Sequence, residues 1–153
     1  MHEDLRAVQA VRFVCSGNMV RSAFAELYAR HLGCAIEVDS CATTYRNERL
    51  YPQARTALVE RGVDLRVCDG FRPRHLDELP RDGVRRVVLG MTGAHLEAYR
   101  LHFGLGDRIR LLGALDGSCE SIGDPVLEEV TFESAFEAIE RHVRMLVQTL
   151  SDG

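Results

Sequence analysis

The pattern of apolar and polar positions divides the chain into alternating strand-like and helix-like blocks. Residues Ala7 to Val14 are apolar at most positions and carry valines, the signature of a short buried strand that ends at Cys15. From Ser22 to Leu32 the apolar residues recur at helical spacing and stop at Gly33, which suits a helix C′ position. Ala35 to Ser40 reads as a second strand, followed by a polar loop from Cys41 to Leu50. Pro52 then fits the first turn of a helix running through Arg61 to Gly62. Val63 to Leu79 lacks a period and contains Gly70 and Pro73 as breakers, so an irregular segment is predicted, with one helical turn around Leu76.

The run Val87-Val88-Leu89, inside Val84 to Met91, marks a third strand of the kind buried on both faces of a parallel sheet. Thr92 is placed to cap a helix through about Phe103, stopped by Gly104, and His95 and His102 read as surface residues of that helix. Arg108 to Leu112 gives the fourth strand. The last helix, from about Thr131 to Leu150, puts Phe132, Phe136, Ile139, Val143 and Leu146 on one face. Its acidic residues come early, and Arg141, His142 and Arg144 come late, as the helix dipole prefers.

Four strands alternating with helices, without an internal repeat, predict one domain over residues 1–153: an α/β fold with a four-stranded parallel sheet flanked by helices. In such sheets ligands bind beyond the carboxyl ends of the strands, and Cys15 falls at one of them.

Composition acts mainly by exclusion. With 153 residues, 46% hydrophobic and 27% charged, the chain is that of an ordinary globular protein. All 19 basic residues are Arg, which removes Walker lysines, Schiff bases and kinase strand lysines from consideration. A net charge of −4 argues against a nucleic-acid partner. The five cysteines (Cys15, Cys34, Cys41, Cys68, Cys119) include no C-x-x-C pair, so neither a disulfide framework nor a structural zinc site is indicated. No metal and no cofactor are expected. No run approaches membrane-spanning length, and the charged segment before Val11 lacks the apolar core of a secretory signal. The expectation is a cytoplasmic protein with no membrane partner.

The stretch Cys15-Ser16-Gly17-Asn18-Met19-Val20-Arg21-Ser22 joins the first strand to the first helix. A thiol at a helix N-terminus beside an arginine is favoured as thiolate by both the dipole and the guanidinium. Gly17 and its compact neighbours let successive N–H groups from Ser16 to Val20 curl into an anion nest. Arg21 offers a planar fork for two phosphoryl oxygens, and Ser22 can donate its hydroxyl to the sulfur. The C-x5-R spacing is weak evidence by itself; its place between strand and helix makes it specific.

This loop, together with Asp39-Ser40 and Thr43 after the second strand, Arg72-Pro73-Arg74 in the irregular stretch, Met91-Thr92 after the third strand and Asp124-Pro125 before the last helix, resembles the low-molecular-weight protein tyrosine phosphatase family. The resemblance covers nearly the whole chain. It implies Cys15 as nucleophile, Arg21 as transition-state clamp and Asp124 as general acid. It further implies Ser16, Gly17, Asn18, Met19, Val20 and Ser22 as the phosphate-binding loop, with Asn18 bracing it and Ser40 and Arg74 supporting it from behind. The implied reaction is metal-independent hydrolysis of a phosphorylated protein or small aryl phosphate through a phosphocysteine.

The chain departs from the family pattern at several places. Val20 stands where many members carry a second cysteine, and Cys41 is the other thiol expected at the same end of the sheet. Phe71 stands where a histidine commonly supports the loop, which removes one hydrogen bond. Val126-Leu127 follows Asp124-Pro125 where phosphotyrosine enzymes place an aromatic residue, so Tyr45, Tyr51 and Val126 are the candidates for a substrate wall. Met19 replaces the threonine that protein arginine phosphatases share. The alternatives are an arsenate reductase of the same fold, for which only Cys68 is present in the irregular stretch, and a phosphate- or phosphopeptide-binding module.

Overall fold

The computed structural model describes residues 5, 7–104 and 106–152. Its strands are β1 (Ala10–Cys15), β2 (Glu37–Ala42), β3 (Arg86–Gly90) and β4 (Arg108–Leu111). The helices are α1 (Arg21–His31), α2 (Pro52–Glu60), α3 (Leu65–Gly70), α4 (Gly93–Phe103) and α5 (Phe132–Asp152). All strand pairings are parallel in the order β2-β1-β3-β4, so the predicted single α/β domain is the fold observed.

β1 is buried along its whole length because it is central and covered on both faces. Alternation sends Val11, Phe13 and Cys15 toward the larger core, where Phe24, Tyr28, Phe136, Ile139 and Val143 of α1 and α5 pack. Val14 points to the thinner layer with Cys41, Val88, Tyr99 and Ile109. Arg12 shares that second layer; its guanidinium bonds both oxygens of Asp39, its register partner on β2, at 2.8 and 2.9 Å, and Tyr99 at 3.1 Å. A buried guanidinium is tolerated there because a carboxylate and a phenol answer its N–H groups.

The elements differ from expectation at their ends. β1 begins at Ala10 rather than Ala7, and β2 runs Glu37–Ala42 rather than 35–40, because its ladder continues until Ala42 lies opposite Cys15. α3 occupies a stretch expected to be irregular. It is six residues long, with Asp64 accepting the Arg66 N–H at 2.7 Å as its cap, too short to leave a periodic trace. Gly33 ends α1 at φ +78, the left-handed conformation that a glycine allows without cost. Thr131 opens α5 by accepting the Ser134 N–H at 3.0 Å.

Candidate active site

Cys15 is the last residue of β1 and Arg21 the first of α1, so five residues make the turn between them. Four backbone bonds tie the carbonyls of this loop outward. Thr44 and Tyr45 donate to the Ser16 carbonyl at 3.1 and 2.9 Å, Tyr51 donates to Met19 at 3.0 Å, and Thr43 donates to Cys15 at 3.0 Å. The Asn47 amide adds a bond to the Gly17 carbonyl at 2.9 Å, so close that a Cβ on residue 17 would lie 2.8 Å from it. With the carbonyls of Cys15, Ser16, Gly17 and Met19 engaged by residues 43 to 51, the loop N–H groups are left available for an anion nest.

Asn18 takes φ +53, a left-handed conformation that Asn adopts more readily than most residues. Its side chain is fully committed: Nδ2 donates to Ser22 Oγ at 2.9 Å and to Ser40 Oγ at 2.7 Å, and Oδ1 accepts the Arg74 N–H at 2.9 Å. The irregular stretch that carries Phe71 therefore still supports the loop, through the Arg74 backbone. That N–H is in reach because the chain there runs beside β2, with Ala42 donating to the Arg74 carbonyl at 2.7 Å. Phe71 itself packs into the larger core. Ser40 passes its own proton to Glu26 Oε1 at 2.6 Å; burial of Glu26 raises its carboxyl above the usual range, against the lowering effect of that bond.

Bond directions follow from this network. Since Asn18 donates into Ser22 Oγ, the Ser22 proton is free to point at Cys15 Sγ, 2.9 Å away, and the Ser22 N–H approaches the same sulfur at 3.4 Å. Cys15 is 2% exposed, yet its sulfur faces two donors.

Arg21 is buried and reached from the far end of the chain. Its Nη1 donates to the Ile122 carbonyl at 2.8 Å, while Nη2 lies 3.4 Å from Asp124 Oδ2 and 3.5 Å from Ser16 Oγ. Ile122 is held in turn by its N–H on the Met91 carbonyl at 2.9 Å. Asp124 Oδ1 accepts the Val126 N–H at 2.9 Å, so the carboxylate is locked with Oδ2 toward the guanidinium. The fold therefore gathers Cys15, Arg21, Ser22 and Asp124 around one loop, with Ser40 behind it. Arg74 contributes its backbone there, and its guanidinium pairs with Asp39 at 3.3 Å.

The candidate wall residues divide. Tyr51 stacks on Phe132 with centroids 5.6 Å apart and lines a groove of about 720 Å³ with Pro125, Val126, Glu128 and Glu129. Tyr45 holds the loop through its backbone, but its side chain is 58% exposed and does not line that groove.

Sequence reasoning misplaced His95. Expected on the helix surface, it is buried in the first turn of α4, with Nε2 2.9 Å from Ser16 Oγ and Nδ1 accepting the Thr92 N–H at 3.2 Å. Burial, with help from Arg21 and against the pull of Asp124, lowers its pKa to about 4. The Thr92-x-x-His95 spacing was the available signal, since it is that of a capping box with histidine in the glutamate position. His102 is half-buried at the other end of α4. Asn47 and Ile122 were also missed, and neither carries a local signature.

Cys41 sits on the opposite face of the sheet from Cys15, packed among Leu76, Leu79 and Val88, and burial pushes its thiol up to about 12. Among the described residues the one group with metal-ligand spacing is Asp116, Glu120 and His142. Arg141 reaches a Glu120 oxygen at 2.5 Å, and His142 Nε2 lies 2.8 Å from the same atom, so the cluster ties α5 to the connection that carries Ile122.

Residues 10–153 match the family model described as low molecular weight phosphotyrosine protein phosphatase. Among solved structures, YfkJ from Bacillus subtilis is 22% identical with a TM-score of 0.79, covering 95% of this chain and 96% of that one. The YwlE arginine phosphatase from Geobacillus stearothermophilus is 24% identical with a TM-score of 0.78, covering 94% of each chain. Vibrio vulnificus Wzb in complex with benzylphosphonate is 20% identical with a TM-score of 0.76, covering 93% of this chain and 99% of that one. A sequence search of curated proteins gives no match.

Proposed function

We propose that this chain, which belongs to the low molecular weight phosphotyrosine protein phosphatase family, hydrolyses aryl phosphomonoesters through a phosphocysteine on Cys15, with phosphotyrosine in protein as the substrate form. The observation that carries the reading is the convergence on one loop of the Cys15 sulfur, its Ser22 donor at 2.9 Å, and Arg21 with Nη2 3.4 Å from Asp124.

In the first step the Cys15 thiolate attacks phosphorus, the bond from phosphorus to the phenolic oxygen breaks, and Asp124 gives its proton to that oxygen. Loop N–H groups and Arg21 face the charge on the three equatorial oxygens. In the second step water attacks the phosphocysteine, Asp124 takes the proton of that water, and the S–P bond breaks to return the thiolate and inorganic phosphate. Arg21 and the nest supply the positive field, so the scheme needs no metal ion. Tyr51 and Val126, which line the groove that begins at Pro125, would wall the leaving group.

The test is turnover of para-nitrophenyl phosphate in the presence of a chelator. Wild type is expected to be active, Cys15→Ser to lose activity by at least about 10³-fold, and Asp124→Ala to lose about 10²- to 10³-fold, the scale of one acid–base group. A folded, inactive wild type refutes the reading. A second reading, phosphoarginine as substrate, is supported by Glu128 and Glu129 in the groove, which would suit a cationic leaving group. Parallel assays with phosphotyrosine and phosphoarginine peptides decide between them by kcat/KM.

A further inference from the structure

The contact between α4 and the phosphate loop fixes the direction of a hydroxyl that the scheme above leaves unused. His95 Nδ1 accepts the Thr92 N–H at 3.2 Å and lies 3.3 Å from Thr92 Oγ1, whose hydroxyl can donate to it as well, so in the neutral ring the proton is placed on Nε2. The 2.9 Å contact with Ser16 is then Nε2–H donating to Oγ. Arg21 Nη2 approaches the same oxygen at 3.5 Å. Two donors occupy the acceptor capacity of Ser16 Oγ, and neither can take its proton. What remains for that proton is an acceptor on the open side of the loop, where an oxyanion would sit.

We infer that His95 is a positioning residue that turns the Ser16 hydroxyl toward the bound phosphoryl group, adding a side-chain donor to the backbone nest. The inference rests on the phosphate-binding reading of the loop. A doubly protonated ring could offer Nδ1–H to Thr92 Oγ1, 3.3 Å away, but it would set that proton against the Thr92 N–H and bring a second cation beside Arg21, so the neutral ring with Nε2–H as donor is the arrangement at neutral pH. The residue also gives α4 a role in the site, through the turn that Thr92 begins directly after Met91.

A double-mutant cycle tests the pair. Ser16→Ala and His95→Ala are each expected to lower kcat/KM for para-nitrophenyl phosphate about tenfold, the size of a hydrogen bond to a charged group. The double variant is expected to match Ser16→Ala within about twofold, because His95 acts through Ser16. His95→Gln, whose amide N–H can reach the position of Nε2, is expected to recover most of the loss. The same substitutions are made in Cys15→Ser, where affinity for inorganic phosphate is measured by calorimetry and folding by thermal melting. There too, Ser16→Ala and His95→Ala are expected to weaken phosphate about tenfold without adding. Multiplicative effects, or a folded His95→Ala with wild-type rate and phosphate affinity, overturn the inference while leaving hydrolysis intact. Absent turnover with coupled losses of phosphate affinity overturns the hydrolase reading and upholds the inference. A Cys15→Ser protein that binds no phosphate overturns both.

Discussion

Cys15 is the last residue of β1 and Cys41 the last but one of β2, both are almost wholly buried, and they face different surroundings. In the register of the sheet Val14 lies beside Cys41 and Cys15 beside Ala42, so the two thiols project from opposite faces. Cys15 meets the Ser22 hydroxyl and N–H. Cys41 meets Leu76, Leu79 and Val88, and its thiol is pushed up to about 12. On the proposed function, the donors that line the buried space, and not burial itself, would decide which thiol reacts. The same geometry separates the two sulfurs by the thickness of the sheet, so Cys41 is not placed to take the part of the cysteine that Val20 replaces.

Substitutions sharpen this contrast, the strongest first. Iodoacetate is expected to modify Cys15 in the folded protein and to be blocked there by inorganic phosphate, while Cys41 reacts only after unfolding. Peptide mass mapping reads both, and equal labelling of the two would break the comparison. His95 extends the contrast to a third buried titratable group. Its folded-state pKa of about 4 lies below its ordinary 6.5, so the unfolded chain binds the extra proton between those values and stability falls as pH drops from about 6.5 to 4. The loss is at most on the order of 3 kcal/mol. His95→Gln is expected to remove that part of the slope. The measurement is the difference between the two proteins in urea midpoints across the window, which cancels the opposite contribution of Glu26.

Ser22→Ala takes one donor from Cys15 and leaves an Asn18 N–H with one acceptor fewer, at an expected cost of about 10- to 100-fold in kcat/KM. Steady-state kinetics beside a thermal melt separate this from a folding defect. Cys41→Ala is expected to cost only about 1 kcal/mol of stability, for the small void left in the second layer, and to leave turnover within twofold. A large loss of activity in that variant would mean that the two faces communicate.

The site was legible in the sequence where its parts are local. Cys15, Gly17, Asn18, Arg21 and Ser22 lie within one strand–loop–helix turn, and the apolar pattern located that turn. Asp124 was legible only through resemblance, since an Asp-Pro pair by itself reads as a turn. Ile122 and Asn47 were invisible because the fold, not sequence distance, carries them to the loop, and the capping-box spacing of His95 marked a helix start without saying that the ring reaches Ser16. Phe71 shows the same limit from the other side. The departure there was legible in the sequence, but the support that the Arg74 backbone N–H gives Asn18 was not.

The outward ties on the loop carbonyls have a thermodynamic consequence for any ligand. Residues 43 to 51 align the loop as the protein folds, so the entropy of ordering it is charged to folding and not to binding. On the proposed function, an oxyanion would meet a loop already ordered, with little rearrangement to slow capture. Cutting one of those ties from outside the pocket, for example with Asn47→Ala, removes none of the donors expected to touch the anion, yet shifts part of that ordering cost back onto the encounter.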